Sequence, residues 1–132
     1  MKQEFIPYEQ ALEIKELGFD EPCLAFYDGK NAESFYFNNM RDASGDYIPF
    51  QKHDRLKWFG APLYQQAFRW FREKYDLQTS NIMFSNGKYD TGITRYKGTQ
   101  SVWGDGPIYD TYEEAELECL KKLIEIVKEE TK

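Results

Sequence analysis

Asn81-Ile82-Met83-Phe84-Ser85-Asn86-Gly87-Lys88-Tyr89-Asp90-Thr91-Gly92-Ile93-Thr94-Arg95 is the stretch whose reading decides the fold. The dipeptide Asn86-Gly87 favours a tight type I′ turn because both residues tolerate positive φ, and the β-branched and aromatic residues around it favour strands. Two antiparallel strands over residues 81–85 and 88–95 are therefore expected. A pair of strands must bury one face, so the flanking sequence has to supply helices.

Working outward, Pro62 reads as the start of a helix reaching about Tyr75, with Leu63, Tyr64, Ala67, Phe68, Trp70, Phe71 and Tyr75 forming a broad apolar face. On the other side, residues 98–107 hold Val102 and Trp103 and read as a short edge strand or a loop. Thr111-Tyr112-Glu113-Glu114 then has the form of a capping box. Glu113, Glu114, Glu116 and Glu118 lie near the positive end of the helix it opens, and Lys121, Lys122 and Lys128 lie further along. Ala115, Leu120, Leu123, Ile124 and Val127 form the stripe this last helix buries.

The first half has a similar order. Residues 7–17 predict a helix with Tyr8, Ala11, Leu12 and Ile14 on its buried side; Gly18 suits the left-handed C-cap, and Phe19 then folds back on Ile14. Residues 23–27 and 34–38 are aromatic strand segments joined through Asp28-Gly29 by a longer hairpin loop. The expectation is an α+β fold of order α-β-β-α-β-β-α: an antiparallel sheet of about four strands with three helices mainly on one face, in a single domain over residues 1–132. The two αββ stretches share Tyr8-Glu9-Gln10-Ala11-Leu12 against Tyr64-Gln65-Gln66-Ala67-Phe68. A duplication explains this, and so do the local requirements of helices and turns.

A chain of 132 residues buries roughly two thirds of its unfolded surface, which suffices for one core. Ten Phe, ten Tyr and three Trp supply large apolar rings, more than so small a domain hides easily, so some are expected at a partner surface. The net charge of -6 opposes generic attraction to phosphate backbones and anionic membranes. With no long apolar run and no secretion signal at the start, a cytoplasmic protein is expected. Cys23 and Cys119 fit no zinc or redox spacing and read as buried free thiols.

Phe5-Ile6-Pro7-Tyr8, Lys15-Glu16-Leu17-Gly18-Phe19-Asp20-Glu21-Pro22-Cys23, Ala61-Pro62-Leu63-Tyr64-Gln65-Gln66-Ala67-Phe68 with Trp70-Phe71-Arg72-Glu73-Lys74, and the closing segments Tyr112-Glu113-Glu114-Ala115 and Cys119-Leu120-Lys121-Lys122-Leu123-Ile124 resemble a family of small uncharacterised proteins. These are encoded largely in prophages and mobile elements of gut bacteria. The resemblance implies a genetic context and carries over no catalytic residue or cofactor.

Residues suited to bond chemistry are few. His53 is the lone histidine, beside Asp54 in a charged loop, and adjacent side chains on extended backbone diverge, so no ready dyad forms. Asp90-Thr91-Gly92 has the letters of an aspartic-protease loop but falls inside an expected strand. Asp42-Ala43-Ser44-Gly45-Asp46 and Gly104-Asp105-Gly106-Pro107 read as turns. No cofactor or metal set is legible.

What remains is a candidate interaction surface: Lys52, His53, Arg55, Lys57, Trp58, Phe59 and Trp103. The expected function is a non-enzymatic accessory or interaction protein of a mobile element, working through the 39–61 loop and the sheet edge. Its expected partner is another protein, from host or phage or a second copy. Two alternatives stay open: a nucleic-acid module using the basic and aromatic 52–58 segment, and a small enzyme whose carboxylates only the fold assembles.

Overall fold

A computed structural model describes residues 4–29, 31–37, 59–83, 86–95, 100–104 and 108–131. Along the chain run α1 (Tyr8–Glu16), β1 (Ala25–Asp28), β2 (Asn31–Phe37), β3 (Phe59–Ala61), α2 (Tyr64–Tyr75), β4 (Gln78–Met83), β5 (Tyr89–Arg95), β6 (Gln100–Trp103) and α3 (Tyr112–Glu130). The α+β class and the order α-β-β-α-β-β-α hold, with β3 and β6 added. The strands form two antiparallel sheets of three, ordered β2-β1-β3 and β4-β5-β6, where one sheet of about four was expected. The chain divides into two compact units, Met1–Gln65 and Gln66–Lys132, each with one of the sheets.

In the first unit α1 starts after Pro7, whose φ of -65° already suits the helix. It ends as the sequence requires. Gly18 takes φ 106°, its N–H bonds the Lys15 carbonyl at 3.0 Å, and the Phe19 N–H reaches the Ile14 carbonyl at 3.0 Å, which is the Schellman pattern. Phe19 and Ile14 are both buried. β1 is the central strand, with Ala25, Phe26 and Tyr27 buried.

Asp28 pairs with Asn31, so the connection between the strands is tighter than the loop expected there. The slack sits in the ladder instead, where the register shifts between Tyr27 and Asp28.

β3 pairs with the other side of β1 and is buried throughout. Gly60 at its centre is required by packing, because a Cβ there would come within 2.6 Å of the Cys23 Sγ. Pro62, expected to open the second helix, instead offers its carbonyl to the Ile6 N–H at 2.9 Å, and Phe5 bridges Leu63. The helix accordingly begins two residues later, at Tyr64. Rings of Tyr8, Tyr27 and Phe59 meet at centroid distances of 5.2 to 5.9 Å. The buried Tyr27 hydroxyl donates to the Ile6 carbonyl at 2.8 Å, which gives this polar tip the partner that burial demands.

In the second unit Ala67, Phe68, Trp70 and Phe71 of α2 are buried, while Arg69, Arg72, Glu73 and Lys74 are exposed. Lys74 lies over the Trp70 ring at 5.0 Å. β4 and β5 pair in register from Gln78↔Thr94 to Met83↔Tyr89, so the expected hairpin is present, but its connection is longer than two residues. Gly87 takes φ 80° and Asn86 does not join it in the positive region. Asn86 works through its side chain, whose Oδ1 accepts the Lys88 N–H at 3.1 Å. An Asx turn thus replaces the type I′ turn.

Thr111 caps α3, its hydroxyl accepting the Glu114 N–H at 3.1 Å. The expected stripe of α3 is buried, together with Glu116, Cys119 and Ile126. The helix packs across β5 and β4. Among the described residues no helix is long and apolar enough to cross a membrane.

Candidate interaction edge

The outer side of β5 is lined by two segments. Tyr109 and Tyr89 exchange backbone hydrogen bonds of 2.7 and 2.8 Å, and four residues further along β5, Ile93 pairs with Trp103. At about 3.3 Å per residue these two pairings stand about 13 Å apart on one edge. The edge approaches β5 closely at Gly92, where a Cβ would lie 3.3 Å from the Trp103 carbonyl oxygen.

β6 does not continue as a regular ladder. Trp103 faces Ile93 but Ser101 faces Thr94, which leaves Val102 as the extra residue of a bulge, and bulges re-aim side chains at sheet edges. Val102 is exposed, and so are Ile108 and Tyr112; Ile108, at 56%, is the most exposed of the large apolar side chains described. Tyr112 leans its ring edge-to-face on Tyr89 at 5.8 Å. Trp103 itself is half-buried.

The charge on this edge is acidic. Asp110 pairs with Lys88 at the surface, and Glu113 and Glu114 are exposed in the first turn of α3. Burial raises the Glu116 carboxyl above its usual range and the nearby Glu113 adds to this, while a hydrogen bond with Tyr112 opposes it. Tyr109 is likewise pushed up, by burial first and then by its electrostatic interaction with Glu118, Cys119 and Asp90.

Behind the edge lie the groups that could have been reactive. Burial raises Cys119 to about 11, and Cys23 in the first unit to about 12. Both thiols are free and buried, so both stay protonated at neutral pH and neither is a ready nucleophile. The Thr91 hydroxyl neighbours the Cys119 sulfur, a weak acceptor, and has no full hydrogen-bond partner among the described residues. Asp90-Thr91-Gly92 lies in the middle strand of its sheet, paired with Ile82, Asn81 and Ser80, and not in a loop. Among the described residues no three His, Cys, Asp or Glu side chains gather closely enough to hold a metal ion.

Of the surface expected from the sequence, Lys52, His53, Arg55, Lys57 and Trp58 lie outside the described residues. Phe59 has to be corrected. It is 2% exposed, packed on Tyr8 and Tyr27 with the Lys15 ammonium 5.6 Å from its ring centre, because β3 lies on β1 and beneath α1. Val102, Ile108 and Tyr112 were not singled out as site residues. Their one signal is that Ile108 stands isolated between Pro107 and the capping box. No protein-family model, curated protein or solved structure matches this chain.

Proposed function

We propose that this chain is a protein-interaction module that works without bond chemistry of its own and receives its partner on the outer edge of the second sheet. One observation carries the reading: of the four large apolar side chains exposed among the described residues, Val102, Ile108 and Tyr112 belong to this edge. Apolar side chains gathered in one exposed region mark an interaction surface more often than isolated ones do. The protonated state of both thiols supports the same reading. We propose a host or phage protein as that partner, the origin that the sequence's resemblance to prophage-encoded proteins implies.

The test is site-specific photo-crosslinking in cells from position 108, with position 24 as the control, since Leu24 is also an exposed apolar residue in the other unit. A discrete adduct from 108 that 24 does not give is the expected result. Absence of any adduct from 108, or the same adducts from both positions, rejects the reading.

A further inference from the structure

The stretch 98–120 contains six carboxylates, Asp105, Asp110, Glu113, Glu114, Glu116 and Glu118, and no Lys, Arg or His. The rest of the chain then holds seventeen Asp and Glu against seventeen Lys and Arg, so the whole net charge of -6 belongs to this stretch. It is the same stretch that contributes Val102, Ile108 and Tyr112 to the surface. Of the described carboxylates in this stretch, Asp110, Glu113 and Glu114 are exposed in the same segment as Ile108 and Tyr112, while Glu116 is buried and Glu118 pairs with Lys121.

From this coincidence we infer that the edge takes a basic, amphipathic polypeptide segment, with apolar side chains seated on Val102, Ile108 and Tyr112 and with Lys or Arg facing Glu113 and Glu114. The inference rests on the reading of this edge as an interaction surface and adds the chemistry of the occupant. Charge complementarity selects it. Asp110 already has a cation in Lys88, but neither Glu113 nor Glu114 has an ion pair among the described residues, and arriving cations would supply one. A second copy would bring Asp110, Glu113 and Glu114 against themselves, and a nucleic acid or an anionic lipid surface would be repelled. The bulge at Val102 interrupts the regular edge that simple strand addition would use, so recognition falls to side chains.

The experiment titrates the full-length ¹⁵N-labelled chain with three synthetic twelve-residue peptides in which Leu alternates with Lys, with Glu or with Ser, and maps the amide shifts. The Lys peptide is expected to shift residues 100–104 and 108–114, with an affinity that falls steeply between low and high salt and drops about fivefold in Glu113→Gln/Glu114→Gln. The salt series on the unaltered chain stands independently of how that variant folds.

Equal binding of the Ser peptide at this edge, or a salt-independent affinity, overturns the basic partner and leaves the interaction surface standing. A cationic peptide that shifts residues elsewhere, with no peptide touching the edge, overturns both. A dimer in sedimentation that Ile108→Ser dissociates puts a second copy on the edge and also overturns the proposal.

Discussion

Gly60 shows most directly how one residue is held to its identity by a neighbour far away in sequence. Its missing Cβ leaves room for the Cys23 sulfur, which would otherwise sit at 2.6 Å, a separation that backbone or side chain must relieve. Gly60→Ala is expected to destabilise the fold by about 1–3 kcal/mol. In a Cys23→Ala background, where the sulfur is gone, most of that cost should vanish, and a double-mutant cycle from urea denaturation measures the coupling. Thr91 is the opposite case, a buried hydroxyl without a full partner among the described residues. Replacing it by Val keeps the shape and removes the orphan group, so Thr91→Val is expected to stabilise the protein by roughly 1 kcal/mol, read from the same denaturation curves. Equal or lower stability would show that the contact with Cys119 is a true hydrogen bond.

At the scale of elements, helix ends are where local sequence rules apply with least interference. The Schellman end of α1 at Gly18 and the Thr111 cap of α3 are both present, because each depends on a few consecutive residues. Gly18→Ala forces a side chain into φ 106° and is expected to cost about 1 kcal/mol; Thr111→Ala orphans the Glu114 N–H and is expected to cost a similar amount. Thermal melts check both, and a cost near zero at either position would mean that tertiary packing fixes that helix end. Strand connections were less legible. The hairpin at Asp28-Gly29 closes tightly, with Asp28 paired to Asn31, whereas the ladder at Asn86-Gly87 ends at Met83↔Tyr89 and leaves a longer connection, although both dipeptides favour a two-residue turn. The helix expected at Pro62 gave way because the N-terminal segment claims the Pro62 carbonyl.

Across the whole molecule, burial of ionisable groups sets the response to alkali. Cys23 and Cys119 lie near 12 and 11 in the folded state against an ordinary 9.0, and Tyr27 near 12 against 10.0. The unfolded chain therefore releases these protons first. The stability they contribute is complete below about pH 9 and is lost as pH climbs toward 12. The urea midpoint is expected to fall across that window, and Cys119→Ala should flatten the lower part of the fall; a midpoint constant to pH 11 would contradict the burial. The two αββ stretches also separate at this scale, since the first sheet has its first strand at the centre and the second sheet its second. Their shared residues serve helices and turns that stand in different topologies. The sequence by itself determined the three helices, the C-terminal cap of α1, the N-cap of α3, the buried stripe of α3 and the α+β class, since these follow from periodicity and from contacts within a few residues. Only the tertiary structure decided that there are two sheets, that Phe-Gly-Ala is a buried strand, that Phe59 is core and that Val102, Ile108 and Tyr112 are not. Whether an apolar side chain is covered depends on what the distant chain lays over it, and no local pattern encodes that.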